Sequence, residues 1–292
     1  MAPASPFARE EFDAGVAELT RLGFEPVYEE SVFAREMYVA GPAALRAGAL
    51  ERAWLDPTIA AIFAVRGGYG SAQLLPLLDR GAFGSAVKAF VAYSDNTAIM
   101  AWLTQTCGVV TFHGPMLERR LSRGAGAYDL DTFTRCLMQP VAPGLITHEG
   151  IEVLRPGSAT GPLLGGTLTQ LTGSLGTPFA FAPPNGHVLF IDEVNERPYR
   201  IDRMFTQLKQ AGVIDRAAAI VFNELPGCDE SDGSPGIRQV AGMLTQDFPG
   251  PVLFGLPSGH TAGPTLTIPF GVQVTVETGR VPGLVIEEAA VE

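Results

Sequence analysis

At 292 residues, 46% of them hydrophobic and 17% charged, the chain is globular rather than disordered and long enough for one large or two ordinary domains. A formal charge of −11 argues against a nucleic-acid binder, which needs a basic face to displace counterions. No run of about 18 apolar residues is present, so no membrane partner is expected. The opening MAPASPFAREEF also has neither the basic flank nor the apolar stretch of a secretory signal. Cys107, Cys136 and Cys228 lie far apart with no CxxC pair, and His113, His148, His187 and His260 show no spacing of the HExxH kind. No metal and no cofactor are expected, and the cysteines read as reduced thiols of a cytoplasmic protein.

Taken in order, Phe12, Val16, Leu19 and Leu22 fall at helical spacing over 8–22, and Gly23 stops the pattern. Phe24 to Tyr28 is a short strand candidate. A second helix over 43–55 carries Leu45, Leu50, Trp54 and Leu55 and ends before Asp56-Pro57. Ile59 to Val65, IAAIFAV, reads as a buried strand that runs into Arg66-Gly67-Gly68-Tyr69-Gly70 and a helical Ser71 to Leu78. Ala89 to Ala92 is the next buried strand. It breaks at Tyr93-Ser94-Asp95 and resumes as a helix over Thr97 to Trp102. Val109 to Phe112 adds another strand, leading into His113-Gly114-Pro115-Met116. Strand and helix alternating in this way predict an α/β domain over 1–140, with a doubly wound parallel sheet. Right-handed crossovers then place every one of these loops at the carboxyl edge of the sheet, where function should sit.

Residues 141–163 are rich in proline and glycine with little periodicity and read as the domain connection. The remaining 164–292 predict a smaller, β-rich mixed domain. Leu168, Leu171 and Leu175 share a helical face, His187 to Val194 is a strand, and Pro198 to Gly212 is a helix with Ile201, Met204 and Leu208 inward. Ala218 to Phe222 and Pro251 to Phe254 are further strands, and Leu266 to Val276 alternates as an antiparallel edge would.

The strand–turn–helix at Ser94 lifts a hydroxyl to where the free N–H groups of the next helix converge. The plainer alternative is that Ser94 or Asp95 only caps that helix. The glycine loop at 66–70 lacks both GxGxxG and the lysine of GxxxxGK, so it is a poor nucleotide loop. It could instead aim a backbone N–H at an oxyanion, with the N–H of Asp95 as second donor. A nucleophilic serine needs a base oriented by a carboxylate. His113 follows a strand, His148 and His187 sit among turn residues, and His260 lies in the loop Gly255 to His260; His260 is only marginally ahead of His113. The candidate acids are Asp192, Glu193 and Glu196, and strand alternation forbids Asp192 and Glu193 from serving one site together.

APASPF at 2–7, AVRGGYGSAQLL at 64–75, YSDNTAI at 93–99, FHGPM at 112–116, GGTLTQLTGSLGTP at 165–178, VNERPYRIDRM at 194–204 and GLPSGH at 255–260 together resemble one family. It is that of the serine LD-carboxypeptidases, which comprises murein tetrapeptide carboxypeptidases and microcin-immunity peptidases. The segments span nearly the whole chain in family order. The resemblance implies a parallel α/β domain followed by a β-rich domain, with the site between them. It places the nucleophile on Ser94, the histidine on His260, the acid on Asp192 and the oxyanion hole on Gly68 and Asp95. It implies a cofactor-free cytoplasmic hydrolase that removes the terminal D-alanine from a murein tetrapeptide in cell-wall recycling, with a small peptide as partner and a homodimer as the expected assembly. Arg66 is a candidate partner for the substrate carboxylate. The alternatives are an immunity-type peptidase acting on an aminoacyl-nucleotide antibiotic and a non-catalytic small-ligand binder using the same cleft.

Three departures from the family pattern stand out. Ala92 occupies a position where glycine is usual, two residues before the serine, and its methyl is expected to tighten the turn. The acid is aspartate where glutamate is usual. Finally, Met1 stands where the family has an apolar strand before APAS, so either the start is internal or the sheet lacks a strand and carries an unpaired edge.

Overall fold

The computed structural model describes all 292 residues. Ala61–Phe63 (β1), Ala89–Ala92 (β2) and Thr111–His113 (β3) are short and almost wholly buried, as strands of a parallel sheet covered on both faces must be; β1 and β2 are apolar throughout, while β3 carries Thr111 and His113 into the interior. The later strands are Gly144–Ile146 (β4), Glu152–Arg155 (β5), Ser158–Thr167 (β6), His187–Asp192 (β7), Ala217–Asn223 (β8), Val252–Leu256 (β9), Ile268–Phe270 (β10), Gln273–Glu277 (β11) and Gly283–Ile286 (β12). One sheet has the order β1-β2-β3-β10, with β1, β2 and β3 parallel and β10 antiparallel to β3. The other has eight strands in the order β4-β12-β11-β6-β7-β8-β9-β5. Its centre, β6 to β9, is parallel, and antiparallel strands flank it on both sides.

Eight α-helices accompany the sheets: Arg9–Arg21 (α1), Ala43–Leu55 (α2), Arg80–Gly84 (α3), Thr97–Trp102 (α4), Leu130–Leu137 (α5), Leu168–Ser174 (α6), Pro198–Gln210 (α7) and Ile237–Leu244 (α8). Spacing dictates which face each one buries. Arg46, Ala47, Leu50 and Trp54 form the inward stripe of α2, and the Trp54 indole N–H donates to the carbonyls of Phe83 and Ala86, 3.1 Å each. In α7, Pro198 starts the helix where its missing N–H costs nothing, and Ile201, Met204, Phe205 and Leu208 turn inward.

The architecture agrees with the predicted class, a parallel-sheet α/β region followed by a second sheet region, and differs from it in detail. Phe24 to Tyr28 forms no strand. Pro26 has no N–H to give a ladder, and the aromatic rings flanking it pack instead, Phe24 against Phe63 at 6.0 Å and Tyr28 edge-on to Phe12 at 4.8 Å. The stretch 141–163 is more than a connection, because it contains β4, β5 and the first half of β6, all in the eight-stranded sheet. Ser71–Leu77 is a 3₁₀ rather than an α-helical segment, with Pro76 inside it. The Ala92 methyl is completely buried in the core without strain at its own backbone, and Ala92 pairs in register with His113.

β1 is an outer strand, and its edge is met only by Met1. The Met1 amino group donates to Phe63 O at 2.8 Å, and the Val65 N–H donates to Met1 O at 2.9 Å. Burial pulls that amino group down to a pKa of about 5. Beside it runs an apolar groove of about 620 Å³, lined by residues that include Phe12, Leu19, Phe24 and Ile62.

The segments at the carboxyl edge of the first sheet are fastened from below by Arg46, a buried guanidinium whose donors reach the carbonyls of Pro3, Gly41 and Gly70 and the side chain of Gln73. Burial depresses its pKa, and Asp95 and Glu36 oppose that only in part. Arg46→Ala would strand three backbone acceptors in the interior. We expect a loss of roughly 2–4 kcal/mol of stability, read as a lower denaturant midpoint, and no rescue by Arg46→Lys, whose single ammonium cannot span the same acceptors.

Candidate active site

Parallel strands deliver side chains at their carboxyl ends, and here two parallel sheets turn those ends toward each other. From the first sheet come the loop Arg66-Gly67-Gly68 after β1, Ser94 after β2 and His113 at the end of β3. From the second come Thr167, Asp192 and Asn223, the last residues of β6, β7 and β8, and His260 just beyond β9. Thr167 and Asp192 are register partners. Two hydrogen bonds tie the sheets together at this seam: the Thr167 N–H donates to Thr97 Oγ1 at 3.0 Å, and Gln170 Nε2 donates to Asp95 Oδ1 at 3.0 Å.

Ser94 sits between β2 and a single 3₁₀ turn that runs into α4, and its φ is +65°. A non-glycine residue in this left-handed region carries strain of about 1–3 kcal/mol, which the surrounding structure must hold. Asp95 and Asn96 hold it. The Asp95 carboxylate accepts from Ser71 N–H (2.8 Å) as well as from Gln170, and Asn96 Nδ2 donates to the carbonyl of Arg66 (3.1 Å). Neither the Ser94 nor the Asp95 side chain caps α4. The glycine loop arches directly over the serine. A Cβ on Gly67 would lie 2.9 Å from Ser94 Oγ and 3.3 Å from the Asp95 nitrogen, so only glycine leaves that space open. Gly68, with φ +95°, packs against Ser5 of the APAS segment, whose hydroxyl accepts the Tyr69 N–H at 3.0 Å.

The acid is Asp192. One oxygen, Oδ2, accepts from His260 Nδ1 at 2.7 Å and from Thr167 Oγ1 at 3.1 Å, and Oδ1 accepts from Asn223 Nδ2. Asn223 Nδ2 also donates to the carbonyls of His260 (2.9 Å) and Ser258 (3.2 Å), so one amide joins the acid to the backbone that carries the base. Asp192 is fully buried. Burial alone would push its pKa up, but the two nearby imidazoles, His260 foremost, hold it well below the usual carboxylate range. Glu193 faces away, accepting from Thr169 N–H and Oγ1 (2.9 and 2.6 Å) and from Val194 N–H (3.0 Å), and burial raises its pKa. The shorter acid therefore reaches His260 directly, with no slip of register.

His260 is half-buried, its ring edge-on to Tyr93 with centroids 5.0 Å apart, and Tyr93 is the residue before Ser94. Burial is the largest influence and works to lower its pKa, but the charge of Asp192, the hydrogen bond to it and the charge of Glu193 together outweigh burial, so the net direction is upward. The loop holding His260 is clamped on both sides. Arg120 donates to the carbonyls of Gly259 (2.8 Å), Thr261 (2.7 Å) and Gly263 (3.0 Å), while Glu224 accepts from Thr261 Oγ1 and from Ala262 N–H (3.1 Å).

His113 lies on the same carboxylate but at the back of the site, fully buried. His148 accepts the Gly150 N–H within its own exposed turn, and His187 meets the carbonyl of Pro184 at the opposite end of β7. Arg66 is already ion-paired with Glu118, Nε to Oε2 at 3.1 Å, and is bonded to the carbonyl of Pro6, so it is not a free cation awaiting a carboxylate. The residues that sequence reasoning did not single out are Gly67, Asn96, Thr167, Gln170, Asn223 and Arg120; of these, Gly67, Asn96, Thr167 and Gln170 lie inside the motifs quoted for the family resemblance.

Residues 1–114 match the family model for the LD-carboxypeptidase N-terminal domain, and residues 160–276 match that for the C-terminal domain. The chain is 30% identical over 309 residues to the microcin C7 self-immunity protein MccF of Escherichia coli, covering 94% of this chain and 88% of that protein. It is 28% identical over 289 residues to the murein tetrapeptide carboxypeptidase of Pseudomonas aeruginosa, covering 96% and 92%. The crystal structure of muramoyltetrapeptide carboxypeptidase from Oxalobacter formigenes superimposes with a TM-score of 0.86 at 28% identity, over 99% of this chain and 98% of that one. With both family domains matched in order, and relatives matched over almost their whole length, the protein belongs to the LD-carboxypeptidase family and is a serine-type carboxypeptidase, a hydrolase.

Proposed function

We propose that the chain removes the terminal D-alanine from murein tetrapeptide, cutting an L–D bond through an acyl-enzyme. The observation that carries the mechanism is the 2.7 Å bond between Asp192 and His260 Nδ1, which leaves Nε2 to serve Ser94, the residue after the Tyr93 on which the ring packs. Ser94 Oγ attacks the carbonyl carbon before D-alanine and gives its proton to His260 Nε2. The N–H groups of Gly68 and Asp95 receive the oxyanion. The imidazolium then protonates the leaving amine as the C–N bond breaks. A water molecule, deprotonated by His260, attacks the ester carbonyl; the ester bond breaks, and the proton returns to Ser94 Oγ. Cell-wall recycling in the cytoplasm, by a homodimer, belongs to the same proposal. The substrate rests on the similarity to relatives named for murein tetrapeptide. Hydrolysis of an aminoacyl-nucleotide antibiotic is the second reading, supported by the similarity to MccF.

A substrate panel separates the readings. Mass spectrometry should show D-alanine released from a murein tetrapeptide and no cleavage of its all-L analogue. Preferential cleavage of an aminoacyl sulfamoyl adenosine would move the chain to the immunity type, and turnover of neither would leave a binding protein.

Ser94→Ala should abolish turnover with an unchanged melting temperature. Asp192→Asn should lower kcat by roughly 10³–10⁴-fold, because the imidazole loses both its tautomer and its counter-charge. Glu193→Gln should change kcat little. If Glu193→Gln is the crippling change, the acid is misassigned. Gly67→Ala should also lower kcat steeply, since its methyl would occupy the space over Ser94 Oγ.

The pH profile has a definite sign. His260 must be neutral to act as base, and Asp192 favours its protonated form, with Glu193 adding to that and Arg120 opposing it. Activity should therefore rise with pH through a midpoint above the ordinary imidazole value of about 6.5. Asp192 remains ionised across this limb, so the limb reports His260. In Asp192→Asn the residual activity should have its midpoint at lower pH; an unmoved midpoint would exclude Asp192 as the partner of the titrating group.

A further inference from the structure

His113 is fully buried and meets both the acid and the loop that bears the base. Its Nδ1 lies 2.8 Å from Ser258 Oγ, and its Nε2 lies 3.6 Å from Asp192 Oδ2 with no hydrogen-bond partner of its own. The ring is stacked on Phe270 (centroids 5.3 Å, 22° between planes) and tilted against Phe190 at 5.0 Å. Gly259 rests on its edge: a Cβ there would fall 2.3 Å from His113 Cε1, so the chain just before His260 is shaped against this imidazole.

The tautomer follows from the neighbours. Were Nδ1 to carry the proton of a neutral ring, the Nε2 lone pair would face a buried carboxylate at 3.6 Å, an arrangement of like charge density with no water to relieve it. Ser258 Oγ has three acceptors for its one proton, His113 Nδ1 at 2.8 Å and the carbonyls of Leu266 at 3.0 Å and His113 at 3.3 Å; donation to Nδ1, the nearest of them, removes the conflict and leaves Nε2–H directed at Asp192. A separation of 3.6 Å is too long for a hydrogen bond, so that N–H acts as a dipole at short range in a low-dielectric interior. Resting on the Ser94–His260–Asp192 reading, we infer that His113 is a positioning residue for the reaction: it seats the Ser258–His260 loop through Nδ1 and its ring, and turns an N–H dipole on Oδ2 of Asp192, the oxygen that His260 also meets.

Two substitutions distinguish this from simple core filling. His113→Phe keeps an aromatic ring among Phe190 and Phe270 and removes both nitrogens. His113→Gln forfeits the ring and can place an amide N–H near the position of Nε2. Positioning predicts that His113→Phe lowers kcat about tenfold to a hundredfold, the cost of a small misplacement of catalytic groups, with KM within twofold, and that His113→Gln retains more activity than His113→Phe. Core filling predicts the reverse order. The rate at which a fluorophosphonate labels Ser94 should follow kcat across the series, and it reads the activation of the serine without any murein substrate. A wild type that is labelled but does not cleave murein tetrapeptide would overturn the proposed substrate and leave labelling to decide the role of His113. A wild type inert in both assays would overturn the site and this inference together. A reactive wild type matched by His113→Phe would overturn the inference alone. Should His113→Phe fail to fold, Ser258→Ala takes its place: positioning predicts a lower kcat and labelling rate with KM unchanged, and wild-type values in that variant would overturn it.

Discussion

A single buried carboxylate organises this molecule. Asp192 ends the central strand β7, whose six residues are all buried, and an ionised group there is tolerated only if neighbours replace the water it has lost. Thr167 from β6, Asn223 from β8 and His260 from the loop after β9 provide hydrogen bonds, and His113 from the other sheet provides a fourth polar neighbour. Each donor stands at the carboxyl end of a different strand. All three hydrogen bonds to the charge thus come from the second sheet, while the first sheet adds the His113 ring at 3.6 Å and closes the seam over the carboxylate, which ties the burial of Asp192 to the integrity of that seam.

The serine side of the seam follows a complementary logic. Ser94 occupies a backbone conformation that a non-glycine residue reaches only under constraint. The constraint comes from both sheets, since Asp95 is held by Ser71 on one side and by Gln170 on the other. Gly67 and Gly68 add an absence of side chain where one would collide with Ser94 or Ser5. Strain at Ser94 and desolvation at Asp192 are thus found at the same interface.

Much of this was legible in the sequence where the information is local. Buried strands declared themselves as short apolar runs, α2 as a 13-residue helix ending at Asp56-Pro57, and Ser94 as a polar break between a strand and a helix. What was illegible is pairing across distance. Nothing within Ile268–Phe270 says that it will leave its neighbours and complete the N-terminal sheet beside β3, and the proline- and glycine-rich 141–163 hides three strand segments, each with an antiparallel partner about a hundred residues away or more. Thr167 and Asn223 look like any polar residue that ends a strand. His113 and His260 could hardly be separated from the residues alone, and the reason is physical: each stands at or just beyond the carboxyl end of a strand, one in either sheet, and both face Asp192.

The aspartate in place of the family's usual glutamate fits this picture. Losing one methylene draws a carboxylate back by about one C–C bond, roughly 1.5 Å, more than a hydrogen bond can absorb. Yet Asp192 bonds His260 at 2.7 Å, so the loop bearing His260 stands close enough for the shorter acid to reach it. The means are visible in the loop. Asn223 gathers the carboxylate and the carbonyls of Ser258 and His260 onto one amide, Arg120 pulls on Gly259 and Thr261, and the absence of a side chain at Gly259 lets the backbone settle on His113. With these neighbours in place Asp192 is wholly buried, and a longer side chain would have to displace Asn223 or an imidazole. The acid's length and the loop's position are therefore matched properties of this chain.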